Sequence, residues 1–288
     1  MTENATDRAW FAGLEPGSAD GAREAIDSGG ANAPAAWPEQ AVDAGFADSE
    51  ANYYELLHEA TLSATRATVV DREQADDKQL LHAIRAMDDA DRTANELAER
   101  LSEWAGTLFA ETTTGLDAAR AVADREPTTP LETRVISLAD RIVDLSAEAE
   151  ELRTFIQQQA PAVAPNLSEM AGPVLAARLI ALAGGLEQLA KKPSGTVQVL
   201  GAEDALFAHL AGRGSSPKHG IIYTHEYVSG TRPEDRGSAA RAFAGKLSIG
   251  ARIDHYSGER RPEIHAELAD RMSTIRARAT DEDEEADQ

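Results

Sequence analysis

The sequence predicts an all-α or nearly all-α protein with a small, poorly defined N-terminal arm or domain, a coiled-coil hairpin and a compact helical module. The main observation is a pair of long apolar series with helical spacing between residues 76 and 160. A second is a set of shorter apolar stretches after residue 160, each bounded by proline or glycine. Ile221-Ile222-Tyr223 is an extended piece at most, too short to form a sheet of its own.

Residues 1–48 are rich in Gly, Ala, Pro and acidic residues, and they show no clear period. Their aromatic residues are isolated from one another: Trp10, Phe11, Trp37 and Phe46. Two interpretations stay open for this segment. It is either a small domain, such as a reduced partner-binding domain, or a partly disordered arm.

Residues 49–160 are predicted to form a coiled-coil dimerisation domain. Its first helix starts near Asp76 and carries Leu80, Ile84, Met87, Ala94, Leu97, Leu101, Trp104 and Leu108 at mostly three- and four-residue steps. Its second helix has an unbroken alternation of four- and three-residue steps, Leu131, Val135, Leu138, Ile142, Leu145, Ala149, Leu152 and Ile156. Turn residues between 112 and 130 predict that the two helices fold back on each other. We expect the second series, Ala149 excepted, to pack against a second copy, although a plain helical bundle has the same pattern.

Pro161 and Pro165 mark a boundary, after which residues 161–280 form the helical module. Leucines from Leu175 to Leu189 predict a helix or helix pair broken near Gly184. Two further helices are predicted over 233–254 and 262–278, each opening near a proline. Residues 281–288 are an acidic tail.

The charge of the chain is uneven along its length. The formal net charge is -22, but residues 161–280 hold 15 basic and 12 acidic residues. Within them, nine basic and five acidic residues lie between Arg213 and Arg261. Such a basic region in an acidic chain favours a surface that follows phosphates, with ordinary solubilising charge as the alternative. Only five residues are lysine, which together with the excess of carboxylates suggests adaptation to a salty cytosol and a haloarchaeal source.

Signatures of the common enzyme and membrane classes are lacking. The chain has no cysteine, so disulfides and thiolate chemistry are excluded, which fits a reducing compartment without proving one. No apolar run is long enough to span a membrane, which predicts a cytoplasmic protein that does not bind membranes. Gly245-Lys246 does not complete a phosphate-binding loop, and the histidines form no metal motif. We therefore predict no cofactor, no metal and no catalytic residue.

Several segments, in order along the chain, resemble the hallmark segments of one family. They are Ala164-Pro-Asn-Leu-Ser, the stretch from Ala176 to Leu186, Leu189-Ala-Lys-Lys-Pro-Ser, Val197-Gln-Val-Leu-Gly-Ala-Glu, Ala205-Leu-Phe, Pro217-Lys-His-Gly-Ile-Ile-Tyr and the stretch from Ala239 to Asp254. These are similar to the Nop domain of archaeal Nop-family proteins. With two helical segments near Met87 and Glu96, the resemblance covers residues 76–278. The first 48 residues match poorly.

The resemblance implies a non-catalytic scaffold of the box C/D guide-RNA particle, which directs 2'-O-methylation of rRNA or tRNA. It implies an N-terminal domain that binds the fibrillarin methyltransferase, a homodimer through the coiled coil, and a Nop domain that grips kink-turn RNA with a ribosomal-protein-like subunit. The implied RNA-binding residues are Lys218, His219, Arg236, Arg241, Lys246 and Arg252. The implied contacts to the kink-turn protein are Gly201, Ala202, Glu203, Leu206 and Phe207. His219 either stacks on a base or caps its loop.

Two departures from the family pattern affect these expectations. Asp204 and Ala208 stand where the family commonly has Lys and Arg, which removes two positive charges from the implied interface. The segment between the coiled-coil helices is also abbreviated. The rival interpretation from another class is a structural coiled-coil adaptor that acts through protein contacts only.

Overall fold

The computed structural model describes residues 9–15, 19–28, 35–109 and 113–286. Every regular element within these ranges is a helix, which confirms the all-α prediction. The chain divides into two compact units, residues 1–75 and 76–288. In the described part of the chain, no helix is long and apolar enough to cross a membrane.

The first unit contains α1 (Ala19–Ser28), α2 (Trp37–Asp43) and α3 (Glu50–Glu73). Its core is aromatic: the buried Trp10 and Phe11 meet Phe46 and Tyr53 at ring distances between 5.2 and 6.2 Å. The indole N–H of Trp10 also donates to the hydroxyl of Tyr53 at 3.1 Å. Three of these four aromatic rings fall in the segment that showed no period. Because Tyr53 of α3 packs against Trp10 and Phe11, α3 belongs to this unit. The sequence analysis had placed residues from 49 onward in the coiled-coil domain.

Two interpretations were open for residues 1–48. Residues 9–15, 19–28 and 35–48 fit the interpretation as a small domain, because they share one apolar core with α3. The interpretation as a partly disordered arm also concerns residues 1–8, 16–18 and 29–34, which lie outside the described residues.

The second unit begins with a helical hairpin, α4 (Asp76–Ala105), α5 (Gly115–Ala123) and α6 (Pro130–Val163). The C-terminal half of α4 packs with the start of α6, around Leu101 and Val135, in one core cluster. The N-terminal half of α4 packs with the end of α6, around Ile84 and Ile156, in another. The two long helices are therefore antiparallel. The start of α6 is fixed by Thr129, whose hydroxyl accepts the N–H of Glu132 at 3.1 Å.

Pro161 does not end α6, which continues to Val163. The break comes at Ala164, and Pro165 opens the next helix, where a proline costs no backbone hydrogen bond.

The rest of the unit is the helical module. It contains α7 (Pro165–Ala171), α8 (Pro173–Ala183), α9 (Leu186–Lys191), α10 (Ser194–Val199), α11 (Glu203–Leu210), a short 3-10 helix (Ile221–Thr224), α12 (Glu226–Ser229), α13 (Arg236–Tyr256) and α14 (Pro262–Ala286). The 3-10 helix replaces the extended piece expected there. Helix α13 is central: it packs against α7, α9, α10 and α14, and its Phe243 and Leu247 are buried. Residues 281–286, expected as an acidic tail, belong to α14, and residues 287–288 lie outside the described part.

The hairpin is fixed to the module at its base. One apolar core runs from α4 and α6 into α7, α8 and α13. Around it, the carboxylate of Asp77 accepts the N–H of Leu186 at 2.8 Å, and Lys78 donates to the carbonyl of Gly184 at 3.0 Å. Arg178 and Asp88 form a two-point ion pair. These contacts join the start of α4 to α8 and α9.

Candidate functional site

The loop that carries Lys218 and His219 is bound to the segment just before α11. The N–H of Gly220 donates to the carbonyl of Gln198 at 2.9 Å, and that of Ile221 donates to Leu200 at 2.7 Å. The side-chain amide of Gln198 closes the arrangement by donating to the carbonyl of Lys218 at 2.7 Å. The backbone therefore holds this loop next to Gly201, where α11 approaches.

A cationic and aromatic cluster stands on this loop. The rings of His219 and Tyr223 are stacked, with centroids 4.5 Å apart and 17° between planes. The guanidinium of Arg236 lies 5.4 Å from the Tyr223 ring centre, and it donates to the carbonyl of Thr231 at 3.0 Å. Lys218 lies beside the start of α13, where Arg236 begins the helix. Three predicted RNA-binding residues, Lys218, His219 and Arg236, are thus neighbours.

The surroundings of His219 favour its neutral form. Partial burial lowers the pKa of His219 below its ordinary value, and the charges of Arg236 and Lys218 lower it further. One of its faces is occupied by Tyr223 rather than free for a base. The contact of Tyr223 with His219 could not be predicted from the sequence, because Tyr223 lies in a segment predicted to be extended.

Helix α11 presents an exposed apolar surface beside this cluster. Gly201 has a φ of 79°, a conformation that favours glycine, and its N–H is accepted by the Glu203 carboxylate at 2.9 Å. No residue of α11 is buried. Phe207 is 64% exposed and Leu210 is 71% exposed. Exposed large apolar residues side by side are typical of a protein contact. All five predicted contact residues are here: Gly201 and Ala202 come just before α11, and Glu203, Leu206 and Phe207 belong to it.

The other predicted RNA-binding residues form a second group. Arg241, Lys246 and Arg252 line an open groove between α13 and α14, together with Ser194 and Arg271. Lys246 forms an ion pair with Glu267 of α14. Arg252 donates to the carbonyls of Ala190 at 3.2 Å and Lys192 at 3.4 Å.

The two groups face different directions from α13. Arg236 and Arg241 are five residues apart, which corresponds to a rotation of about 140° around a helix. The structure therefore divides the predicted basic surface into a loop group and a groove group. Arg271, which the sequence analysis did not select, belongs to the groove group because α14 returns alongside α13.

The predicted dimerisation residues have unequal exposure. Val135, Ile142 and Ile156 are completely buried in the interior of this chain's own hairpin, so they are not available to a second copy. This corrects their expected role: the regular apolar series found its partner helix in α4. Leu138, Leu145 and Leu152 are partly buried, and Leu131 is 47% exposed.

Comparison with known proteins gives a match over most of the second unit. The sequence profile of the family described as "Nop: snoRNA binding domain, fibrillarin" matches residues 78–275. An uncharacterized NOP5 family protein of Methanocaldococcus jannaschii is 32% identical over 269 residues, covering 81% of this chain and 65% of that protein. Nucleolar protein 58 of Candida glabrata is 31% identical, covering 70% of this chain and 48% of the relative. The chain thus spans about half to two thirds of the length of these curated relatives.

Among solved structures, a chain from the crystal structure of a fibrillarin/Nop5p complex superposes with a TM-score of 0.53 at 23% identity. The superposition covers 88% of this chain and 92% of that chain. At this level of identity the likeness concerns the fold, and it agrees with the hairpin and module described above. Since the profile match spans more than two thirds of the sequence and includes both groups of basic residues, the chain belongs to the Nop family.

Proposed function

We propose that this protein is the scaffold subunit of a box C/D guide-RNA particle. In this proposal the helical module binds a kink-turn RNA together with its ribosomal-protein-like partner. The N-terminal unit binds the fibrillarin methyltransferase, and two copies associate through the hairpin. The chain acts by assembly and places the methyltransferase for RNA-guided 2'-O-methylation of rRNA or tRNA.

One observation carries the proposal: the candidate RNA surface and the candidate protein surface are joined by backbone hydrogen bonds. The pairing of Gly220 with Gln198 and of Ile221 with Leu200 holds the loop group against the start of α11. A partner that consists of RNA and protein together would meet both surfaces at once. The loop group alone or α11 alone offers less contact than the two together. This agrees with a partner that is itself a complex of RNA and protein.

The charge distribution supports RNA as the ligand of the loop group. Lys218 and Arg236 are cations in a chain of net charge -22, so the loop group is positive without any charge on His219. Contacts to phosphate by point charges weaken steeply with salt, because bound counterions are released on binding. The exposed apolar face with Phe207 supplies contact that salt does not weaken, which compensates for the charges missing at Asp204 and Ala208.

The hairpin offers a second copy fewer exposed apolar residues than the sequence predicted. Since the fully buried members of the second series are excluded, the proposed contact uses Leu131 and the partly buried Leu138, Leu145 and Leu152. The solved structure of similar fold is a fibrillarin/Nop5p complex, which agrees with fibrillarin as the proposed partner. We assign that contact to the N-terminal unit, as the family resemblance implies. The methyl transfer itself belongs to the partner in this proposal, so the purified chain alone should not methylate RNA.

The test is an electrophoretic shift in high salt with a box C/D kink-turn RNA, with and without its kink-turn-binding protein. We expect a further shift only when both RNA and protein are present. Phe207→Ala should abolish it, while Phe155→Ala, which removes a 43% exposed phenylalanine from the hairpin, should leave it unchanged. If no shift occurs at any attainable concentration, the chain is a coiled-coil adaptor that uses protein contacts only.

A further inference from the structure

The outer face of α13 carries a stripe of exposed residues that contains Arg241 and Arg252, two of the predicted RNA-binding residues. Successive residues of a helix are rotated by about 100°, so Arg241, Gly245, Ile249, Arg252 and Tyr256 all lie within about 80° of one another. Ile249 is 40% exposed, and Tyr256 is 70% exposed, the most exposed tyrosine of the described residues. The stripe runs for about 22 Å along the helix at 1.5 Å per residue.

The stripe is positive along its length. Its cations are Arg241 and Arg252, and Arg271 of α14 lines the same groove. The one acidic residue of α13 is Asp254, which is buried on the inner side. Glu267 of α14 is paired with Lys246, and Glu259, just beyond the helix, is paired with Arg261. A protein with net charge -22 thus presents cations along one open face, which is complementary to a phosphate chain.

The arginine in the middle of the stripe is preorganised. Arg252 donates from Nε and one terminal nitrogen to the carbonyls of Ala190 and Lys192. A guanidinium has five N–H donors, so three remain for a ligand. Beside it, Gly245 leaves the groove open, because a Cβ added there would meet no atom within 4 Å. A ligand backbone therefore has room to approach the helix between the two arginines.

The end of the stripe offers a flat aromatic surface. The Tyr256 ring meets His255 with centroids 4.6 Å apart and 63° between the planes, so the histidine supports the ring without covering it by stacking. Exposed aromatic rings next to cations are the features by which proteins hold unpaired nucleotides: bases stack on the ring and phosphates meet the arginines. A double helix would not fit this pattern, because its bases are stacked on each other and its outer surface offers no free base face.

We propose that this face of α13 is a track for a single-stranded RNA segment, with a base stacked on Tyr256 and the phosphate chain running over Arg252 and Arg241. The inference rests on the proposed function, because it assigns this segment to RNA that extends from the bound kink-turn. The stripe has the length of a few nucleotides. Stacking on an aromatic ring and phosphate contacts to arginine are open to every base, so we expect the track to hold RNA with little preference for sequence.

The experiment compares kink-turn RNAs with and without a single-stranded oligouridine extension, placed at either end, in the complex with the kink-turn-binding protein and the full chain. The wild-type chain should bind one of the extended RNAs about tenfold more tightly than the blunt RNA, the size expected for one stacked base. Tyr256→Phe should keep this gain, since the ring remains. Tyr256→Ala should lose it and still bind the blunt RNA with wild-type affinity.

Tyr54→Ala is the matched control, because Tyr54 is a 54% exposed tyrosine in the other compact unit. A photoreactive 4-thiouridine in the extension should crosslink to the tryptic peptide of residues 253–260 in the wild-type complex. If neither extension improves binding while the blunt RNA still shifts, the track is wrong and the proposed function stands. If Tyr256→Phe behaves as Tyr256→Ala, the stacking role is wrong. Failure of the blunt RNA to shift removes the proposed function and the track with it.

Discussion

Gly220 lies so close to Leu200 that a Cβ at residue 220 would overlap the carbonyl oxygen of Leu200. The same carbonyl accepts the N–H of Ile221 at 2.7 Å. This close approach of two backbone segments is what brings the Lys218 and His219 loop to the start of α11. Glycine is required here by space rather than by an unusual φ, which is -113° at this residue.

Gly220→Ala should therefore separate the loop from α11. The methyl group forces the two backbones apart and breaks the hydrogen bond of Ile221, so binding of the kink-turn complex should fall by roughly tenfold or more. Electrophoretic titration in high salt measures the change. Gly214→Ala is the control in the same connection, because a Cβ at Gly214 would meet no atom within 4 Å. Equal affinities for the two variants would show that the close approach does not shape the binding surface.

The sequence predicted the helices well where one spacing rule decides the structure. Helices α4 and α6 were both expected from apolar steps of three and four residues, and both are present. The spacing of apolar residues does not predict which helix covers the apolar face. Ile142 was expected to meet a second copy, but α4 of the same chain covers it, because a regular series requires only some partner of matching spacing.

The site was predictable in composition and not in arrangement. The resemblance named Lys218 and Arg236, and the structure brings them to one loop group. It could not reveal Tyr223 between them, because stacking of that ring depends on the turn into the 3-10 helix. Nor could it reveal that Arg271 lines the groove of Arg241, since that contact depends on the angle at which α14 returns.

Substitutions at two apolar residues of α6, Ile142 and Leu131, should separate an effect on folding from an effect on association. Ile142→Ala removes a completely buried side chain from the hairpin, so it should lower the free energy of unfolding by about 2–5 kcal/mol. Leu131→Ala removes a 47% exposed side chain and should change that free energy by less than about 1 kcal/mol. If the exposed flank of the hairpin forms the dimer, Leu131→Ala should also shift sedimentation toward the monomer. Chemical denaturation and analytical ultracentrifugation measure the two effects, and a large unfolding effect of Leu131→Ala would contradict the hairpin packing.

Asp254 predicts a pH dependence of stability. This carboxylate is buried, and it accepts the N–H groups of Asn166 and Leu167 at the start of α7. Burial raises its pKa above the ordinary aspartate value, although those hydrogen bonds oppose the shift. A raised pKa in the folded state favours the protonated form. The stability that this shift contributes is thus complete below the ordinary pKa and is lost as pH rises through the raised one.

Asp254→Asn has no carboxyl proton to lose, so its stability relative to the wild type should increase as pH rises through that window. Unfolding curves of both chains at a series of pH values, in a constant salt concentration, give the difference directly. Asp270→Asn is the control, because Asp270 is exposed on α14. A difference between Asp254→Asn and the wild type that stays flat with pH would show that burial does not govern this carboxylate.

Arg241 should contribute to RNA binding mainly through its charge. It is an exposed cation of the groove group, so Arg241→Ala should weaken binding of RNAs of different sequence by a similar factor. It should also reduce the slope of log affinity against log salt concentration by about one. Arg141→Ala removes an arginine that is 73% exposed on the hairpin and should leave the slope unchanged. An adaptor that does not bind RNA would be indifferent to both substitutions.

Glu267 should weaken RNA binding in the wild-type chain. Its carboxylate forms an ion pair with the ammonium group of Lys246, which lines the groove between α13 and α14. Glu267→Gln removes that negative charge and frees one cation for a phosphate. Affinity for the kink-turn complex should rise, and the salt slope should become steeper by about one. Glu263→Gln makes the same change in net charge on the same helix, at an exposed carboxylate that is not the ion-pair partner of Lys246. The gain should therefore be specific to Glu267, and an equal gain from Glu263→Gln would mean that overall charge, rather than the pairing of Lys246, limits binding.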